Sequence, residues 1–367
     1  MRILALESFY GGSHKAFIDG WMANSEHQFK LLSYPATKWK WRMRHSAASF
    51  AEEINQLDES FDLIFCTDMI NLAELRGLLS PSLIDLPVVL YMHENQLTYP
   101  DPTATERDYH FAFTNIVSCL AADEIWFNSG YHRDVFIAAV GEFLQRMPDR
   151  QLRHAPERIA DCSRVEYPGV DEPAASDERT PGPVKILWAA RWEHDKAPGL
   201  LFDGMRLLAQ GNLDFRLNVV GQTFENQPEI FEKARTEFAD RIDQWGFVES
   251  REAYLHLLAA CDLVVSTAAH EFFGIAVVEA IAAGCYPVLP NRLAYPEIAA
   301  RLLPEGPQEV LYEGTPEALA ARIFDLSSQS PPPWQDSERT GILRSRASAF
   351  FWTHRAKEMD ARLRQLV

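Results

Sequence analysis

The chain has 367 residues, with 52 acidic side chains against 35 basic ones and a formal net charge of −17. That balance excludes a uniformly basic surface for nucleic acid or anionic membrane, while leaving room for a local basic patch. The length suits two domains of ordinary size, and the composition is that of a globular protein. Five scattered cysteines (Cys66, Cys119, Cys162, Cys261, Cys285), with no Cys-x-x-Cys pair, suggest neither a disulfide framework nor a zinc site. The start at Met1 runs straight into a strand-like segment and lacks a signal peptide's apolar core. No stretch is long and apolar enough to span a bilayer, so the expectation is a cytoplasmic protein.

The first half alternates short apolar runs with amphipathic stretches. Strands are expected at Arg2–Leu6, Phe29–Ser33, Asp62–Thr67, Val88–Met92 and Glu124–Asn128, with helices at Ala47–Leu57 and Tyr109–Ala121. This order predicts parallel βαβ units. After the first strand, Gly11 and Gly12 permit a tight turn. Ser13 is a good helix N-cap, and the free amides that follow would offer an anion site. A plain structural turn explains the same glycines.

Lys38-Trp39-Lys40-Trp41-Arg42-Met43-Arg44-His45 alternates with period two. Read as extended chain, Lys38, Lys40, Arg42 and Arg44 share one face, while Trp39, Trp41 and Met43 share the other. Such a segment suits a nucleic-acid backbone with bases stacking nearby; it equally suits a loop anchored by tryptophans or contact with anionic lipid. At the exit of Val88–Met92, His93, Glu94, Asn95 and Gln96 form a polar cluster, although a lone histidine is more often a satisfied core residue.

The Pro-, Ser- and charge-rich stretch 173–183 is the expected linker, separating domain 1–172 from domain 184–334. In the second half, Val184–Ala190, Phe215–Gly221, Asp262–Thr267 and Tyr286–Pro290 are expected strands, and Glu317–Leu326 a helix. A helical segment, 335–367, follows a second Pro-rich break. Arg191 and Lys196 lie on the loop after the first of these strands, where two cations can neutralise a diphosphate. The alternative is a pair of solvated surface cations. Gly221–Phe224 and Trp245–Val248 follow other strands; Gly246 and Phe247 could line a nucleobase pocket, or simply pack.

The densest motif is His270-Glu271-Phe272-Phe273-Gly274 followed by Glu279. A buried strand precedes it, and a helix at Ile275–Ala283 ended by Gly284 follows. Glu271 is then on a loop at a strand's carboxyl end, and Glu279 about one turn into the next helix. In an open α/β sheet that crevice is where ligands bind. Gly274 and Ile275 would present backbone amides there.

This pattern resembles the E-x7-E motif of retaining nucleotide-sugar glycosyltransferases with the GT-B fold, an α/β architecture of two Rossmann-like domains facing across a cleft. The resemblance implies that Glu271 contacts the transferred hexose and Glu279 the nucleotide ribose. It implies that Arg191 and Lys196 hold the diphosphate and that His93 orients the sugar. It also implies that the last helix returns to the first domain. Taken together, Ser8–Lys15, Lys38–Arg44, Asn71–Leu75, His93–Pro100, Glu106–Ser129, Arg191–Lys196 and Ser266–Ile298 resemble the tRNA-queuosine mannosyltransferase family.

That family implies GDP-mannose as donor, queuosine in tRNA as acceptor, and no metal or other cofactor. Catalytic residues are then His93, Glu271, Arg191 and Lys196. Donor contacts add Gly11, Gly12, Gly246, Phe247, Phe272, Phe273, Gly274, Ile275 and Glu279. Acceptor contacts fall on Ser13, His14, Lys38, Trp39, Lys40, Trp41, Arg42, Arg44, Glu94, Asn95 and Gln96. Two rival readings remain: the same fold acting on an envelope lipid or polysaccharide precursor, and a non-catalytic nucleotide-sugar or RNA-binding module.

Overall fold

The computed structural model describes residues 1–100, 109–173, 182–223 and 227–367. It divides into two compact units, one of residues 1–169 with 352–367 and one of residues 170–351.

The first unit is built on six parallel strands: β1 (Arg2–Tyr10), β2 (Gln28–Pro35), β3 (Leu63–Thr67), β4 (Val88–Met92), β5 (Glu124–Phe127) and β6 (Ser163–Val165). Their spatial order is β2-β1-β3-β4-β5-β6. Helices α1 (Gly12–Asn24), α2 (Trp39–Ile54), α3 (Leu72–Leu78), α4 (Tyr109–Ala121), α5 (Gly130–Gln145) and α6 (Ala155–Asp161) connect them. Every residue of β3, β4 and β5 is buried, as expected where helices cover both faces of a parallel sheet.

The second unit repeats the logic with β7 (Val184–Ala189), β8 (Phe215–Val220), β9 (Ile242–Gly246), β10 (Leu263–Val265), β11 (Tyr286–Pro290) and β12 (Leu311–Tyr312). The strand order is β12-β11-β10-β7-β8-β9. Its helices are α7 (Pro198–Gln210), α8 (Ile230–Glu237), α9 (Arg251–Ala260), α10 (Ile275–Ala282), α11 (Tyr295–Leu302), α12 (Pro316–Ser327) and α13 (Ser337–Ala347).

Each sheet has one topological switch point. In the first, β1 is followed by β2 on one side and β3 on the other. In the second, β8 and β9 lie on one side of β7, and the chain then crosses to β10 on the other. Crevices at the carboxyl ends of such strand pairs are the binding positions of open α/β sheets.

The terminal stretch 335–367 is not one piece. Helix α13 stays with the second unit, and only the segment containing α14 (Trp352–Leu363) joins the first. The Trp352 ring occupies space that Gly20 and Gly169 leave open; a Cβ on either would stand 2.2 Å from it. Asp360 accepts hydrogen bonds from Trp21 Nε1 at 2.9 Å and from the backbone of Glu26 at 2.8 Å. Arg355 donates to Glu166 at 2.7 Å, and both are buried. The expected linker is outside the described residues over 174–181.

Candidate functional site

In the second unit the switch point brings the β7 and β10 loops together. Lys196 ends a short turn after β7 and is buried. Its Nζ donates to the His270 carbonyl at 2.9 Å and to Glu271 Oε2 at 3.2 Å, and it stands 3.2 Å from Asp195 Oδ2. Backbone bonds stitch the loops: Ala269 and His270 N–H both donate to the Asp195 carbonyl. Thr267 Oγ1 donates to the Lys196 carbonyl at 2.7 Å.

Burial opposes the charge on Lys196, but Glu271 and Asp195 outweigh it and raise its pKa. Burial alone would raise Glu271; the charge of Lys196, then its hydrogen bond, hold that carboxyl below its ordinary value. Both groups are therefore charged at neutral pH. Arg191 is partly exposed and paired with Glu193 at 3.0 Å.

Gly274 caps α10 with φ 91°, which favours glycine, and a Cβ there would lie 3.0 Å from the Tyr295 ring. Phe272 and Phe273 are buried in the loop ahead of it. Ile275 opens α10, and Glu279 follows in its second turn. Glu279 Oε1 accepts from Arg251 Nη2 at 2.5 Å, and Oε2 from Tyr254 at 3.4 Å. Burial raises the Glu279 carboxyl, and Arg251 works against that. The same guanidinium group reaches Asp171 at 2.9 Å. At the end of β9, Gly246 has φ 98° and Phe247 is largely exposed. Of the segment Gly221–Phe224, Phe224 is outside the described residues.

In the first unit the exits of β1, β3 and β4 gather Glu7, His14, Asp68 and His93. His14 Nδ1 donates to Glu7 Oε1 at 3.2 Å, and its ring stacks on His93 with centroids 4.0 Å apart. Burial opposes the His14 charge, but Glu7 prevails and raises its pKa to about 9. Burial, then the charges of His14 and His132, hold His93 well below the usual histidine value. The result is a charged imidazole stacked on a neutral one. His93 Nε2 is buried and has no hydrogen-bond partner among the described residues. Ligand atoms of Glu7, His14 and His93 lie within 4.8 Å of one another, close enough to surround a cation; the proton between His14 and Glu7 would compete with it.

The loop after His93 is fixed by residues that the sequence reading passed over. Asp68 Oδ1 accepts from the His93 N–H at 2.9 Å, and Asn128 Nδ2 donates to the His93 carbonyl at 2.8 Å. Asn115 Oδ1 accepts from the Gln96 N–H at 2.8 Å. Asn95 is buried and shapes the loop: its Oδ1 accepts from the N–H groups of Leu97 and Thr98, and its Nδ2 donates to His132 Nε2. Glu94 accepts from Gln96 Nε2 at 2.8 Å.

Two local expectations are corrected. Helix α1 begins at Gly12 with Gly11 at the N-cap, so Ser13 lies in the first turn rather than capping it. Gly12 has φ 52°, and a Cβ on Gly11 would meet Ala36 Cβ at 2.4 Å. The stretch Lys38–Arg44 is not extended. Lys38 caps α2, and the remainder forms its first turns. Trp39 packs on Phe111, Met43 is buried and Trp41 is exposed, so the two tryptophans do not share a face.

Residues 2–170 match the tRNA-queuosine alpha-mannosyltransferase N-terminal family, and residues 172–340 match Glycosyl transferases group 1. The tRNA-queuosine alpha-mannosyltransferase of Drosophila melanogaster is 38% identical over 336 residues, covering 88% of this chain and 86% of that protein. The chain belongs to the tRNA-queuosine alpha-mannosyltransferase family. It is a glycosyltransferase.

A GDP-mannose-dependent alpha-(1-6)-phosphatidylinositol dimannoside mannosyltransferase of Mycobacterium tuberculosis is 27% identical over 184 residues, half of this chain and 45% of that one. Among solved structures, Anabaena Alr3699/HepE in complex with UDP and glucose has a TM-score of 0.67 at 18% identity, with both chains covered in full. Sucrose-phosphate synthase from Thermosynechococcus elongatus has a TM-score of 0.71 at 17% identity, covering 100% of this chain and 99% of that one. These likenesses establish the GT-B fold for this family member. Among the described residues, no helix is long and apolar enough to cross a membrane.

Proposed function

We propose that the protein transfers mannose from GDP-mannose to queuosine in tRNA, with retention of anomeric configuration. The observation that carries this reading is the 38% identity, spread over most of both chains, to a protein of that name. The donor half of the assignment rests on buried Lys196 and half-buried Glu271, paired at a sheet switch point.

Lys196 and Arg191 hold the diphosphate and stabilise the charge it gains on departure. Glu271 accepts a hydroxyl of the mannose, and Glu279 accepts the ribose hydroxyls. The α10 amides at Gly274 and Ile275 meet the phosphates, while Gly246 and Phe247 border the base. In the first unit the neutral ring of His93 orients the sugar, and the turn at Gly11 and Gly12 approaches the donor.

The acceptor hydroxyl forms its bond to the anomeric carbon as the bond to phosphate oxygen breaks, and the departing phosphate takes the hydroxyl proton. The charges needed are fixed protein groups, so the reaction requires no metal.

The test is incubation with GDP-mannose and queuosine-containing tRNA, nuclease digestion and mass spectrometry of the nucleosides. Queuosine gaining the mass of one hexose is the expected result. An unchanged queuosine peak, with transfer to another acceptor, would remove the substrate and leave the enzyme class.

A further inference from the structure

Most of this acidic chain repels phosphate, but one stretch does not. No aspartate or glutamate occurs from His27 to Ala51, and Lys38, Lys40, Arg42 and Arg44 all lie there. None of these four forms an ion pair with a described residue.

Helix geometry sorts the segment into two sets. Arg42 is turned back onto the protein: its Nε donates to the Pro35 carbonyl at 3.0 Å, Nη1 meets His45 at 3.0 Å, and the guanidinium lies over Tyr34. Trp39 packs on Phe111, and Met43 is buried. Lys38, Lys40, Trp41 and Arg44 remain exposed, with Lys40 Nζ 5.5 Å over the Trp39 ring and the Arg44 guanidinium 4.7 Å over Phe111; the Trp41 side of α2 carries His45 with ring centroids 5.1 Å apart. Trp41 is 60% exposed.

Covering an exposed indole with a stacked ring removes apolar area from water. Along α2, Lys38 and Arg44 stand three residues to either side of Trp41, and Lys40 stands next to it. One aromatic face flanked by cations suits an unpaired base with phosphates on either side, since stacking tolerates any base and cations track the backbone. A membrane surface would call for several exposed apolar side chains on one face, and α2 offers only Trp41.

We infer that Trp41, with Lys38, Lys40 and Arg44, forms a binding face for the single-stranded loop of an RNA hairpin. Trp41 stacks an unpaired base, and the three cations contact phosphates. Arg42 and Trp39 only support the helix. This inference rests on the tRNA reading and adds where, and by which contacts, the RNA loop is held.

The test uses the full chain and an RNA anticodon stem-loop. Trp41→Ala should weaken binding by about tenfold, with Trp41→Phe retaining most of it. Lys40→Ala with Arg44→Ala should weaken binding and lower the salt slope by about 1.4 in log–log terms. The same variants should raise KM for tRNA and leave KM for the donor unchanged. Wild-type affinity in Trp41→Ala, with the helix content intact, overturns the inference. So does loss of binding to anionic phosphatidylglycerol vesicles, in those variants, without any change toward RNA. If the wild type binds the stem-loop through Trp41 yet never modifies queuosine, the substrate assignment falls and this face stands. If it modifies queuosine and the variants keep the same KM for tRNA, the face falls alone.

Discussion

The Glu7 carboxylate stands 3.2 Å from His14 Nδ1, and both side chains are buried. The folded chain holds the His14 proton to about pH 9, against an ordinary value of 6.5. A raised pKa gives stability that is complete below pH 6.5 and is lost as pH rises through about 9. The shift corresponds to something on the order of 3 kcal/mol. Asp68, also raised, to about 7, acts in the same sense but at lower pH. Urea midpoints should therefore fall between pH 7 and pH 9.5 in the wild type and fall less in His14→Gln, where Asp68, no longer facing the His14 charge, titrates higher. Equal declines in both would show that the pair carries no such energy.

Glu271, half-buried, and Lys196, buried, neutralise each other where two loops cross. Glu271→Gln keeps the size and removes the charge, so kcat should drop about a hundredfold or more while the far-ultraviolet spectrum stays the same. Lys196→Ala strands two carboxylates and should also cost about 3–5 kcal/mol of stability. Turnover near wild type in Glu271→Gln would remove it from the site.

Both oxygens of Glu279 already have partners, Arg251 and Tyr254. In Arg251→Ala, only the Tyr254 hydrogen bond still opposes burial at that carboxyl, and its pKa rises further. Calorimetry with GDP-mannose should then show affinity falling more steeply from pH 8 to pH 6 than in the wild type. Parallel pH curves would separate Glu279 from the donor.

With Arg191 and Lys196 in the proposed role of supplying the positive charge, dialysis against EDTA should leave transfer intact. Activity restored only by a divalent ion would contradict this and direct attention to Glu7, His14 and His93.

Trp352 fills the space left by Gly20 and Gly169. Trp352→Ala should destabilise the protein by about 3–5 kcal/mol, measured as a fall in the urea midpoint. A change below about 1 kcal/mol would mean that the neighbouring rings collapse into the gap.

Buried segments were the legible part of the sequence. Strands β4 and β11 and helix α4 have the expected limits, because unbroken apolar runs and a clean helical period leave little choice. Strands β6 and β12 were not anticipated. Both lie at sheet edges, where apolar patterning weakens. The start of α2 misled because its alternation over seven residues fits a strand. Trp39, Met43, Ala47, Phe50 and Ile54 fit a helix over a longer window, and that buried stripe decides the outcome. In the site, Glu271 and Lys196 stood out through local motif. Asp68, Asn115, Asn128 and His132 did not, because their partners are distant in sequence. The available signal was a polar residue directly after a buried run, as at Thr67-Asp68 and Phe127-Asn128.

The first unit is discontinuous along the polymer, with residues 170–351 lying between its two parts. During synthesis its sheet therefore emerges long before α14 exists, and Trp21, Glu124 and Glu166 must wait for Asp360, Arg362 and Arg355. The second unit has no such delay. A chain truncated after Phe351 should thus carry a finished second unit and an open, protease-sensitive first unit. Limited proteolysis of that truncated chain should cut first within residues 1–169, so order of synthesis and order of completion run in opposite directions.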